Sequence, residues 1–242
     1  MKISFDTARF ERPLLIIGTA TTIFLAIGGT WSPAIAASHG SFSPSGGRSY
    51  TLPANVRTLK VNNEAGAVRV TATRGSAQIR VVEQPTGNPT SHHNVSGSTA
   101  TIGSSCAGVH ISCHMDYQVT MPAGVALDVA GDVGLVTLQG GPDKAHIKTA
   151  AGKVSGTDLG RGSYTVETTA GQVDLTFASA PALVKVTTDA GAINVTVPGN
   201  ASYRISASST IGTTDVALPN DASAPNVIDL HAQVGLVSVH KT

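Results

Sequence analysis

Between Leu59 and Val239 apolar and polar residues alternate in short runs broken by glycine, and no useful stretch carries a 3.6-residue period. Alternation of this kind marks strands with one buried face, so the region predicts β-structure. The runs also repeat. Aligned on Gly66, Gly134, Gly152, Gly171, Gly191, Gly212 and Gly235, the units from Gly134 onward recur every 18 to 23 residues. Seven residues before the glycine stand Leu59, Leu127, Ala145, Tyr164, Val184, Ile205 and Ile228; five before it, Val61, Val129, Ile147, Val166, Val186, Ala207 and Leu230. Two after it stand Val68, Val136, Val154, Val173, Ile193, Thr214 and Val237; four after it, Val70, Leu138, Gly156, Leu175, Val195, Val216 and Val239.

Parity explains the glycine. Residues on one face of a strand recur every two positions, yet positions −5 and +2 lie an odd number apart. A straight strand would turn half of this apolar set into water. One extra residue at a bend restores both halves to the inside, and glycine tolerates the positive φ that such a bend demands. Each unit is therefore a strand, a Gly corner and a second strand, followed by a looser return such as GGPDKA or PGNAS. A unit of this size cannot bury its stripe alone, so units must stack. The predicted fold is all-β: a β-solenoid of two-strand rungs of ~20 residues. An antiparallel β-sandwich of hairpins is the alternative. Thr149, Thr168, Thr188 and Ser209, all at −3, are expected to line one corner as a hydroxyl ladder. Residues 71–125 break the register and read as irregular first coils, with QIRVVEQ, STATIGS and DYQVTMP as strands and PTGNPTSHHNVSG as a loop.

The N-terminus has another character. Lys2, Arg9 and Arg12 precede an apolar run from Leu14 to Gly29, and Ala34-Ile35-Ala36 follows Pro33. This is the pattern of a secretory signal peptide. The run is close to the lower limit of ~17 residues for a membrane span, so a retained N-terminal anchor is the other reading. Both place the body outside the cytoplasm, secreted or associated with the envelope. Residues 1–36 are thus a signal peptide or anchor, 37–55 a Ser/Gly/Pro-rich spacer and 56–242 the repeat domain. The whole chain has 16 basic and 15 acidic residues. Without Lys2, Asp6, Arg9, Glu11 and Arg12 the two signs balance, which leaves no electrostatic footprint for nucleic acid.

Cys106 and Cys113 are the only cysteines, and an even pair at short spacing in an exported chain reads as a disulfide. The alternative is a metal site drawn from Cys106, His110, Cys113 and His114, with His92 and His93 upstream. Strand alternation would splay Cys113 and His114 to opposite faces, so no metal or other cofactor is expected. Catalytic motifs are missing: there is no G-x-S-x-G, H-E-x-x-H or G-x-x-x-x-G-K-[ST]. Asp128, Asp132, Asp158, Asp174, Asp189 and Asp215 are scattered; the outward parity of Asp174 and Asp189 suggests solvated faces, with Asp174→Val close to neutral. His146, His231 and His240 have outward parity, and Tyr164 falls among the core positions.

The segment Tyr117-Gln118-Val119-Thr120-Met121-Pro122-Ala123-Gly124, followed by VALDVAGDVGLVTLQG, TAAGKVSG, VETTAGQVDLTF and VTTDAGAINVTV, resembles a family of exported β-strand-repeat proteins of actinobacteria and other bacteria. Its members go under the names adhesin and toastrack-like domain. The resemblance runs from about Leu59 to Val239 and implies a non-enzymatic, envelope-associated domain used for adhesion, scaffolding or envelope sensing. It supplies no catalytic residues. The expected partner is a cell-surface or envelope protein or glycan, with membrane contact only through an uncleaved N-terminal segment. A polysaccharide-active enzyme on a β-helix is the alternative.

Overall fold

The computed structural model describes residues 41–42, 47–107 and 112–242. The leader and the first half of the spacer lie outside those residues, apart from a two-residue strand, β1 (Ser41–Phe42).

Seven long strands each contain a whole repeat unit bent at its glycine: β3 (Thr58–Thr73), β8 (Ala126–Gln139), β9 (Lys144–Leu159), β10 (Ser163–Phe177), β11 (Leu183–Val197), β12 (Tyr203–Val216) and β13 (Asn226–Lys241). They pair in parallel with glycine on glycine, as in Gly171 on Gly152 and on Gly191. This is a β-solenoid, and parallel pairing excludes the sandwich for the repeats. Between β10 and β11 the register runs Thr168 on Thr188 and then Ala170 on Ala190, passing over the residue at −2. That skipped residue is where the inward parity changes. From β3 to β11 and in β13, the side chains at −7, −5, +2 and +4 are buried. Gly156 departs from the apolar set at +4 but is also buried. A bulge follows it, with Asp158 at φ 53°, and Leu159 swings back to within 2.7 Å of where a Gly156 side chain would begin.

The last two strands are stacked out of chain order: β13 lies between β11 and β12. Composition gives the reason. The inward positions of β13 carry Ile228, Leu230, Ala232, Val237 and Val239, whereas those of β12 include Ala207, Ser209 and Thr214. The more apolar rung gains more from two neighbours, and residues 217–225 are long enough to carry the chain back. As a result Thr214 and Val216 of β12 are exposed, unlike their counterparts in the other rungs.

The N-terminal end is built differently. β6 (Thr99–Ser105) and β7 (His114–Pro122) pair in parallel with the first and second arms of β3, so two separate strands make one rung. Antiparallel strands then close that end: β4 (Arg80–Thr86) lies on β7, β5 (Thr90–Ser96) on β6, and β2 (Arg48–Thr51) on β4. Two expectations are corrected here. The spacer is folded from Gly47 onward, because Tyr50 donates to Glu83 (2.7 Å) and Leu52 joins the core. The segment read as a loop contains β5, whose residues lack apolar alternation because almost all of them are exposed.

Candidate interaction surface

Cys106 and Cys113 form a disulfide with their Cα atoms 6.0 Å apart. It closes the connection between β6 and β7, where the other rungs have their corner. The cysteines therefore have no thiolates to offer a metal. His110 lies outside the described residues. His92 and His93 are exposed on β5, and the His93 ring sits 5.4 Å from that of Tyr50. Among the described residues, no group of three or more His, Cys, Asp or Glu side chains is placed to hold a metal ion. Reduction should lower the melting midpoint only modestly, since closing so short a loop stabilises by about 2–3 kcal/mol. Circular dichroism should still report the stack from β8 to β13. Loss of all strand signal on reduction would contradict this.

The −3 hydroxyls do not form a ladder. Thr168 and Thr188 donate to the carbonyl oxygens of Ala170 and Ala190 on their own rungs (3.4 and 3.3 Å), and Ser209 donates to Gly235 (2.9 Å). Thr149 Oγ1 is buried without a partner. At Thr168 and Thr188 the hydroxyl turns to a carbonyl of its own corner, and such local side-chain-to-backbone bonding competes with a bond to the next hydroxyl. Asn63, at −3 of β3, was not singled out by the pattern. It is buried, donates to Met115 O (2.9 Å) and accepts from Ser104 Oγ (2.7 Å), tying β6 and β7 to the first full rung.

The outward side chains form rows across the rungs. On the second arm, Lys153 Nζ reaches Asp174 Oδ2 (2.7 Å), Asn194 Nδ2 donates to Asp174 Oδ1 (2.7 Å), and Ser238 Oγ donates to Asn194 Oδ1 (2.8 Å). Gln172 also donates to Asp174 (2.9 Å). On the first arm, Lys60 pairs with Asp128 (3.7 Å) and Lys148 with Glu167 (3.9 Å), and the His146 ring lies between the two carboxylates, 3.2 Å from Asp128 and 3.9 Å from Glu167. Beside them is a groove of about 300 Å³ lined by Lys148, Glu167, Thr169, Lys185, Thr187 and Asp189. His231 and His240 are exposed, and Tyr164 is buried edge-on against Phe177 (5.2 Å). The aspartates are divided between faces: Asp128 and Asp189 on the first arm, Asp174 and Asp215 on the second.

Asp174 corrects the expectation that its removal is neutral. It points outward but is only partly exposed and accepts from three donors. Burial raises its pKa, but the bonds from Lys153, Asn194 and Gln172, with the Lys153 charge, outweigh this and hold the carboxyl below its ordinary value. A depressed carboxylate stabilises the fold above its unfolded pKa of about 4, and that contribution fades as pH falls through the folded value. Asp174→Asn should therefore lower stability most in the neutral region, where the contribution is full, and least at low pH, where it is already lost, so that the acid limb of the stability–pH curve flattens. Thermal melts between pH 2 and 7 would show it; identical acid limbs would refute the role. Asp174→Val should be clearly destabilising, because it also leaves Lys153 and Asn194 without their acceptor.

No curated protein sequence matches the chain. Among solved structures, it is similar to one described as a putative cell adhesion protein of Clostridium sporogenes, at 12% identity and a TM-score of 0.49, covering 81% of this chain and 99% of that one. It is also similar to one described as a putative adhesin of Bacteroides fragilis, at 12% identity and a TM-score of 0.44, covering 81% and 96%. The Toastrack DUF4097 family model matches residues 45–225, taking in the antiparallel cap and every rung except β13. The chain belongs to the Toastrack DUF4097 family.

Proposed function

We propose that the chain is an exported, non-enzymatic envelope protein whose outer sheet faces serve as an adhesive or scaffolding surface. The carrying observation is the groove on the first arm, where Lys148 and Lys185 stand beside Glu167 and Asp189 with Thr169 and Thr187 between them. Both signs of charge and free hydroxyls on regularly spaced strands suit a polar partner such as a surface protein or glycan. The disulfide supports an oxidising compartment. Among the described residues no helix is long and apolar enough to cross a membrane, so attachment would fall to the N-terminal run.

The test has two parts. Fractionation of the host with N-terminal sequencing of the mature chain should find it outside the cytoplasm. The double variant Lys148→Ser, Lys185→Ser should lose binding to intact host envelopes while keeping a melting midpoint close to that of the wild type, since it gives up only the exposed Lys148–Glu167 pair, worth at most about 1 kcal/mol. Unchanged binding would reject the groove. Release of reducing sugars from envelope polysaccharide by the purified protein would favour the enzymatic reading.

A further inference from the structure

We propose that the chain forms a two-fold dimer through its C-terminal end, the free edge of β12 pairing antiparallel with the same edge of a second copy. Because β13 is inserted inside β12, β12 ends the stack. Among the described residues, only the start of its far edge is covered: Asn220 Oδ1 accepts from Ile205 N (2.9 Å), and Asp221 N donates to Tyr203 O (2.9 Å). Natural edge strands are usually blunted by lysine, proline or a covering loop. The segment from Ser206 to Val216 has no lysine and no proline, and Asp215 is its one charge. Five large apolar side chains are exposed among the described residues, and four of them are here: Ile211, Val216, Val234 and Leu236. Ile211, 65% exposed, lies in register with Val234 on the neighbouring rung.

The backbone specifies the occupant. Tyr203 O and Ile205 N point to the free edge, whereas Ala217 N turns inward to Val239 O. Alternate residues of a strand face alternate edges, so Ala207 and Ser209 on the first arm, and Gly212, Thr214 and Val216 on the second, direct their N–H and C=O groups outward. An antiparallel alignment with the two corners apposed sets Thr210 against Ile211 of the second copy, Ala207 against Thr214 and Ser209 against Gly212. Every edge-facing residue then meets an edge-facing one, as an antiparallel hydrogen-bonded pair requires. The core-facing side chains Ala207 and Thr214 also meet, so the open interior of one stack continues into the other. A slip of one residue would set core-facing against outward-facing side chains. On the outer face the same register places Arg204 diagonal to Asp215 of the second copy, within reach of a long side chain. One patch thus complements itself in shape, backbone polarity and charge, which is what an isologous interface needs.

The register places Ser206 directly opposite Asp215 of the second copy and far from Ser206 of that copy. Full-chain Ser206→Cys mixed with full-chain Asp215→Cys should give a covalent dimer on mild oxidation, resolved on a non-reducing gel, while neither variant alone should. No dimer in the mixture, or equal yields from a single variant, would overturn the proposal. In sedimentation equilibrium of the full chain, Arg204→Asp should weaken association about tenfold, and adding Asp215→Arg to it should restore the loss. Failure of that restoration would equally overturn it.

Discussion

Gly191→Ala should be among the most damaging single substitutions in the chain. The corner glycine has φ +150°, and a Cβ on it would overlap the carbonyl oxygen of Gly171 on the neighbouring rung. That oxygen is backbone held by the parallel ladder on both sides, so it cannot step aside as a flexible side chain would. The same overlap recurs between Gly235 and Gly191, so displacing one corner disturbs the next. Backbone strain alone costs on the order of 1–3 kcal/mol, and forced separation of the rungs adds lost packing. A total of about 4 kcal/mol or more is expected, a size reserved for such mechanisms. Gly160→Ala supplies the control, because a Cβ there would meet nothing within 4 Å. Its effect should be near zero or slightly stabilising, by up to about 1 kcal/mol through the unfolded chain. Urea midpoints would compare the two; similar midpoints would mean that the corners tolerate a side chain and that contact between glycines does not set the rung spacing.

The solenoid was legible because its repeat couples two independent signals, apolar parity and glycine position. Only a bent strand reconciles them. The cap was less legible: β5 buries almost nothing, so its strand character lies in backbone pairing that leaves no trace in side-chain alternation. The stacking order was hidden for a related reason. Each unit carries the same local pattern, and what sends β13 inside β12 is a difference in degree, Leu230 against Ala207 and Val237 against Thr214, weighed over the whole end of the stack. On the surface, parity assigned Asp174 to the outer face, but it could not show that Lys153, Gln172 and Asn194 come from three strands to meet it. Rows of this kind depend on which rungs are neighbours, a property of topology rather than of any one unit. The disulfide needed no topology, since a short spacing and an oxidising compartment sufficed.

Val173→Asp should unfold the domain or lower its stability by several kcal/mol, because an unpaired carboxylate would sit in the stacked interior. Val173 is fully buried, with Val154 and Ile193 as its register neighbours on the two adjacent rungs. Its neighbour Asp174 faces outward, so the effect depends on parity and not on the region. The sharper comparison is Thr214→Asp, at the same +2 position in β12. Thr214 is exposed because that rung has a neighbour on one side only, and a charge there stays hydrated. In the monomer, at protein concentrations too dilute for β12 to pair with a second copy, its cost should be within about 0.5 kcal/mol, the range for surface changes. The buried carboxylate of the Val173→Asp variant would have its folded pKa raised by desolvation. The deficit should therefore be smallest below about pH 4, the unfolded carboxylate value, and grow as pH rises through the folded one. Thermal melts of both variants at pH 3.5 and 7 would measure this. Equal losses at the two positions would place β12 inside the stack and contradict the inserted β13; a pH-independent deficit at position 173 would mean that the side chain escapes to solvent.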